Sequence, residues 1–544
     1  MRGWRKSLSK ISPTNFVLSA LLAALVLPKA IRLASKLGSN ASKAAPLAGP
    51  GYFVVPHNVT SSTATVWVAA LDQDVRAQRI RLICTAAPVP GTISPDGPVG
   101  RWEQELDMSQ WQTWKSQRPL DWKDAPKGSK LQTLHHQRVT LGLERRLLPR
   151  TRYDLQLVVD GQDTYAKASV TTLPSRLPGP GEKPFTVLLG SCFYYQNDEE
   201  HGWVGKTFSH IAAEDKPELK FFCGDQVYLD NPWKNLTYFI TRPFQAPSLL
   251  RSIFLHRYLD NWTHAPTSDS GFKRLLSEGA NYFISDDHEY WNNAPDLGGV
   301  GLINTLIRPQ REWWFREAAE LFRIFQSVSP LQFVEVPPLS ICVADTRINR
   351  HGGRRQFMDP EDLNAVCRWI KGLAGPGVLV VGQPLLAKRA NLWTADRFEL
   401  GLPDYTVQYQ QLVDAIKASE HSIILFTGDV HFGRVAECEL NAKTGTKFVE
   451  MISSPLSVVT DGLGRAKLSP YQNPSEVVPS PVFKVERARP TGEKNHFLTI
   501  EFAARLGAGT GSSMHIKAKF WPIADNADRT ANSVSSVVYN AVLH

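Results

Sequence analysis

The stretch FFCGDQVYLD, residues 221–230, sets a carboxylate and a phenol directly behind an apolar run. Phe221, Phe222 and Cys223 read as the end of a buried strand, and Gly224 as the turn that stops it. Asp225 and Tyr228 stand just beyond that end. The same arrangement recurs along the chain. FTVLLG runs into Ser191-Cys192, NYFIS into Asp286-Asp287-His288, SICVA into Asp345-Thr346-Arg347, VLVVG into Gln383, and SIILFTG into Asp429-Val430-His431. Helical segments such as WVGKTFSHIAAED, RPQREWWFREAAELFRIF and PEDLNAVCRWIKGL separate these runs. Strand, helix, strand predicts an α/β class with buried strands. In open α/β sheets ligands gather outside the carboxyl ends of the strands. The polar termini are therefore expected to meet at one site.

Ahead of this region the texture differs. YFVVP, TATVWVAA, IRLICTA, RYDLQLVVDG and YAKASVTTL alternate apolar and polar residues between turn signals, the pattern of an antiparallel β-sandwich. VTLGLERRLLPRTRYDLQLVVDG is similar to the late strands of fibronectin type III (Ig-like) domains, with a long insertion over Ser94–Gln132. PSRLPGPGEKP, residues 174–184, has the Pro and Gly content of a linker. At 544 residues the chain exceeds one comfortable core. The expected division is a leader or anchor over 1–43, a β-sandwich over 44–173, the linker, and a catalytic α/β domain over 185–544.

The net charge of +9 resides almost entirely at the start: residues 1–43 hold eight Lys or Arg and no acid, which leaves +1 for the rest. A near-neutral body lacks the electrostatic footprint of a nucleic-acid binder. FVLSALLAALVLP, residues 16–28, follows the basic start. As a helix it would rise about 20 Å, short of the roughly 30 Å hydrocarbon core. That form predicts export to the periplasm, cell envelope or medium by a signal peptide. An uncleaved membrane anchor and an organellar transit peptide are the open alternatives. Four N-x-S/T sequons, at Asn40, Asn58, Asn235 and Asn261, matter only in a host that glycosylates secreted proteins. The six cysteines are scattered without a close C-x-x-C pair, which argues against a disulfide scaffold or a zinc ribbon.

Taken singly, each motif has a bland reading. A Gly-Asp behind an apolar run is a turn or a helix cap. Tyr228 is a core aromatic, Cys192 a buried hydrophobe, DDHE a solvated turn and His431 a satisfied loop histidine. Together they would bring several anions into one place, where adjacent buried carboxylates repel unless a cation compensates. A bound metal is the simplest compensation.

GSCF, GDQVYLD, SDDHEYWNN, VADTR and FTGDVHFG, in this order, resemble the alkaline phosphatase D (PhoD-like) family of calcineurin-like metallophosphoesterases. The resemblance runs from Phe185 to Val435, and several members of that family carry a β-sandwich ahead of the catalytic domain. It implies a metallophosphoesterase α/β sandwich and a dinuclear centre. Asp225 would bridge two metals, with Cys192, Tyr228 and His431 completing an Fe³⁺ side. Asp287 and Asp429 would complete an oxygen-rich side, suited to Ca²⁺, with Mn²⁺ or Mg²⁺ as alternatives. The implied reaction is phosphate-ester hydrolysis, in which a hydroxide from a metal-bound water attacks phosphorus in line. His288 would serve the leaving oxygen. Arg347 would contact a phosphate oxygen or be merely structural. Asn292 and Asn293 would orient His288 or touch substrate, or else cap the next helix.

Two rivals follow from the same residues. One keeps the site and makes the substrate a phosphodiester, such as a phospholipid or cell-wall polymer, with YLDNPWKNLTYF and HRYLDNW as a wall or lid. The other, from a different class, is an envelope binding or adhesion protein with a degenerate enzyme domain.

Overall fold

The computed structural model describes residues 51–88, 100–116, 132–198, 200–230, 247–263, 270–296, 308–389, 400–458, 483, 485–492, 494–505, 513–523 and 535–544. The export segment 1–43, the sequons at Asn40 and Asn235, most of the 94–132 insertion and the aromatic stretch beyond Asp230 lie outside them. None of the described helices is long and apolar enough to cross a membrane.

Eight strands open the described chain: β1 (Tyr52–Val59), β2 (Ala64–Leu71), β3 (Ile80–Pro88), β4 (Arg101–Glu105), β5 (Gln112–Lys115), β6 (Thr133–Leu141), β7 (Thr151–Val159) and β8 (Gln162–Thr171). They form two four-stranded sheets, β1-β2-β6-β5 and β4-β3-β7-β8. Alternation sends one side of each strand inward, so that Val66, Val68, Leu82, Leu155 and Leu157 share an apolar interior.

Two larger sheets follow. In the first, β9 (Phe185–Gly190), β10 (Leu219–Cys223) and β11 (Ala280–Ile284) run parallel. In the second, β12 (Leu331–Val336) pairs antiparallel with β13 (Leu339–Ala344), which continues in parallel through β14 (Gly377–Val380) to β15 (Ile423–Thr427). The remaining strands are β16 (Gly433–Asn441), β17 (Thr446–Ile452), β18 (Val485–Gly492), β19 (His496–Arg505), β20 (Ser513–Pro522) and β21 (Ser536–Leu543). The strand orders are β11-β10-β9-β19-β20-β21 and β12-β13-β14-β15-β17-β16-β18. Val187, Phe221 and Tyr282 from one sheet share a core with Ile341, Val378, Ile424 and Met451 from the other, so the two sheets pack face to face.

This corrects the expected fold class. Of the described residues 40% lie in strands and 23% in helices, in mixed, sandwich-like sheets, so the molecule is mostly β rather than an α/β metallophosphoesterase sandwich. The physical reason is the C-terminal fifth. Beyond Gly433 the described chain contributes only strands, and β19 pairs antiparallel with β9, beside the strands that carry the site.

The linker-like segment is docked. Leu177 is buried, its N–H donates to the Pro337 carbonyl at 2.9 Å, and Ala504 N–H donates to the Pro178 carbonyl at 2.8 Å.

Candidate metal centre

Parallel strands place their carboxyl ends at one edge, and here that edge collects the polar termini read from the sequence. Cys192 follows β9, Asp225 follows β10, Asp286 and Asp287 follow β11, Gln383 follows β14, and Asp429 and His431 follow β15. Four of these residues have left-handed backbones: Cys192 (φ 58°), Asp225 (φ 60°), Asp429 (φ 69°) and His431 (φ 55°). Non-glycine residues adopt this region at a cost, and such strain concentrates at functional sites. Gly224, at φ 88°, is required where it stands, because a Cβ there would come within 2.3 Å of the Asp286 Cβ.

The β10 turn is held by a carboxylate. Glu289 accepts the backbone N–H groups of Asp225 (2.8 Å), Gln226 (2.6 Å), Val227 (3.2 Å) and Asp286 (2.9 Å), which clamps the turns after β10 and β11 together. Charge-assisted bonds of this kind are strong, and the clamp aims Asp225 at Asp287.

Three ligand triplets result, each with donor atoms within 4.8 Å of one another: Cys192–Asp225–His431, Asp225–Asp287–His288 and Asp286–Asp287–Asp429. Asp225 and Asp287 each belong to two of them. The Cys192 thiol lies 3.4 Å from Asp225 Oδ2, and the Tyr228 hydroxyl lies 3.4 Å from that same oxygen. All six candidate metal ligands, Cys192, Asp225, Tyr228, Asp287, Asp429 and His431, are thus brought together. Asp286 was not among them, and the structure adds it.

The electrostatics are those of a crowded anion site. Burial, reinforced by neighbouring carboxylates, pushes Asp225 well above the usual carboxylate range. Burial does the same to the Cys192 thiol, helped by Asp225 and Asp429, and to the Tyr228 phenol, helped by Cys192. Asp287 is also buried, yet His288 and Arg347 hold it below the ordinary value. Burial lowers His431 to about 4, so its ring is neutral near pH 7, as a ligand must be. Among the described residues, Asp286 Oδ2 and Asp287 Oδ1 are buried without a hydrogen-bond partner. Orphaned carboxylate oxygens beside a thiol, a phenol and a neutral imidazole fit cations. The mixed S, O and N set has the chemistry of a transition-metal site, and the all-oxygen set that of a hard-cation site.

The three candidate catalytic residues take different places. His288 is partly accessible: its side chain is 20% exposed, and its Nδ1 lies 2.7 Å from Asp230 Oδ1. Asp230, together with Asp287 and Asp225, raises the affinity of that ring for a proton against the opposing effect of burial. The Tyr228 ring packs on it at 4.2 Å. Asn292 contributes its backbone N–H, which donates to Asp230 Oδ2 at 2.5 Å, so it orients His288 through Asp230. Asn293 donates its backbone N–H to Asp287 Oδ2 at 2.6 Å. Arg347 sits behind the carboxylates. It is 1% exposed, pairs with Asp286 at 2.5 Å through Nη2, and donates from Nη1 to the Ala294 carbonyl at 2.7 Å. Its guanidinium is committed to the wall of the site, which removes the phosphate contact considered for it.

Sequence reasoning did not single out Asp230, Glu289 or Arg350. Asp230 had a signal, since it closes the same ten-residue stretch as Asp225 and Tyr228.

No protein-family profile matches the chain, and no curated protein does. Among solved structures it is similar to a calcium-binding mutant of Bacteroides uniformis beta-glucuronidase 2, with 9% identity over 70% of this chain, 40% of that chain, and a TM-score of 0.23. It is also similar to a glycosyl hydrolase family 2 member from Bacteroides cellulosilyticus, with 11% identity over 90% of this chain, 62% of that chain, and a TM-score of 0.21. The chain thus spans less than two thirds of either, and likenesses this slight carry no argument about its chemistry.

Proposed function

We propose that the chain is a metal-dependent hydrolase of phosphate esters. The observation that carries this reading is the sharing of Asp225 between a Cys192/His431 group and an Asp287/His288 group, with Asp429 closing an adjoining carboxylate group. The resemblance of the five ordered motifs to the alkaline phosphatase D family supports it. Cys192, Tyr228, His431 and Asp225 would hold a cation such as Fe³⁺, and Asp225, Asp287 and Asp429 one such as Ca²⁺, Mn²⁺ or Mg²⁺. Two cations held there would lower the pKa of a water and neutralise charge on the phosphoryl oxygens.

The protein's own groups do the rest. His288 holds one proton at Nδ1 toward Asp230 and, as an imidazolium, a second at Nε2 for the departing alkoxide. Asp230 fixes the ring, and its other oxygen is tied to the Asn292 backbone, so the imidazole cannot swing away. Arg347 cancels the charge of Asp286 and keeps it from repelling the other carboxylates.

The test is elemental analysis of the purified protein beside hydrolysis of aryl phosphate mono- and diesters. Bound iron with a visible phenolate band, turnover of either ester class, and loss of both metal and turnover in Asp225→Asn are expected. Full turnover by Asp225→Asn with native far-UV circular dichroism would overturn the reading.

A further inference from the structure

Behind Asp429 lies a buried relay that the reaction itself does not use. Gln383 Nε2 donates to Asp429 Oδ2 at 3.0 Å, and Arg350 Nη2 donates to Gln383 Oε1 at 2.9 Å. The direction of this relay is forced. A guanidinium has donors and no acceptor, so it can donate only to the oxygen end of the Gln383 amide. The nitrogen end must then face Asp429.

Arg350 is itself fixed on several sides. It is 3% exposed, its Nε donates to the Thr346 carbonyl at 3.0 Å, its Nη1 donates to the Leu400 carbonyl at 3.3 Å, and its guanidinium lies 5.0 Å above the Tyr405 ring. Among the described residues no carboxylate pairs with it directly. A buried cation with no carboxylate directly beside it is costly, and here its field passes through the amide dipole of Gln383 to a carboxylate of the candidate centre. Asp429 needs such a hold, because its backbone is left-handed (φ 69°) and leaves the strand abruptly.

We propose that Gln383 and Arg350 are positioning residues that lock the rotation of the Asp429 carboxylate and so set the affinity of the oxygen-rich cation site that Asp429 would form with Asp225 and Asp287. The proposal rests on the metal reading above. Hydrogen-bond partners behind metal ligands typically govern about 10–100-fold in metal affinity.

The experiment is titration of the purified full chain with Mn²⁺ alone, against a competing chelator, for wild type, Gln383→Met, Asp429→Asn and the double variant. Gln383→Met, similar in length but unable to donate or accept, should bind Mn²⁺ about 10–100-fold more weakly while far-UV circular dichroism stays native, and should lower the thermal midpoint because Arg350 Nη2 loses its acceptor. In the Asp429→Asn background the same change should cost nothing further, because the groups act as one unit. Arg350→Lys keeps the buried charge but loses the planar fork that orients the amide, and should fall in the same direction by less. Wild-type affinity in Gln383→Met, or losses that simply add in the double variant, would overturn the proposal. Failure of the wild type to take up Mn²⁺ at all would instead sink the metal reading, and the relay's role with it.

Discussion

At the scale of single residues, the proposed function separates carboxylates that would hold cations from a group placed to move a proton. Asp225, Asp286 and Asp287 are buried carboxylates, whereas His288, like Asp429, is partly open, and His288 is gripped from behind by Asp230. His288→Asn should therefore leave the metal content intact and reduce kcat about 10²–10⁴-fold, the usual range for a lost general acid. Asp230→Asn should fall in between, since the imidazole remains but is no longer held. Elemental analysis beside steady-state kinetics distinguishes the two effects. Loss of metal in His288→Asn would make it a ligand instead. The sequence exposed most of these residues because a strand end followed by Gly-Asp, Asp-Asp-His or Asp-x-His is visible locally. Arg347 was equally visible, but whether its guanidinium meets solvent or Asp286 depends on a loop some sixty residues away in the chain.

At the scale of elements, local pattern and tertiary placement diverge in the same way. The apolar runs at β9, β10, β11, β13, β14 and β15 are legible as strands because each is a short, β-branched or aromatic run with a turn signal after it. What they pair with is not. β19 inserts beside β9 from more than 300 residues further on, and the alternation in HFLTIEFAAR says only that one of its sides is buried. The class was therefore misjudged although the elements were not. One short helix offers a separate test. Asp198 precedes the helix Trp203–Ser209 and accepts the Val204 N–H at 3.1 Å, yet burial raises its carboxyl to about 7. A carboxyl near 4 in the unfolded chain and near 7 in the folded one binds more protons when folded. Its favourable contribution is thus present below pH 4 and lost as the pH climbs to 7. Asp198→Asn, which stays neutral, should gain on wild type progressively from pH 4 to 7 and level off above, by at most about 4 kcal/mol. Guanidinium midpoints measured across that range check it. A constant difference at every pH would mean that Asp198 titrates normally.

At the scale of the whole molecule, the question is whether the N-terminal sheets and the site-bearing sheets stand or fall together. The segment 174–184 has the composition of a hinge, but the contacts across it are those of a shared interior. Trp67 packs on Phe325 with ring centroids 5.1 Å apart, and Tyr282 bonds both backbone groups of Val59 at 3.0 and 3.1 Å. Asn281 donates to the Pro56 carbonyl at 2.7 Å, and Arg138 donates to the Arg323 carbonyl at 2.7 Å, at the end of the helix Arg308–Phe325. No local rule could pair Trp67 with Phe325, since only the folded chain brings them together. Two imidazoles bear on this junction. His57 packs against Phe283 at 5.6 Å, and burial, together with Arg138, holds it well below its ordinary value. Burial, again with Arg138, lowers His136 to about 4. Both are neutral when folded and take up protons near pH 6.5 when unfolded, so the unfolded chain gains protons first as the pH falls. Calorimetry at pH 7 should therefore show one transition for both halves, with a Tm that drops between pH 6.5 and 4. His57→Leu, which removes one of the two acid-sensitive groups, should flatten that drop. Two well-separated transitions at pH 7 would show that the sheets fold independently and that the junction does not couple them.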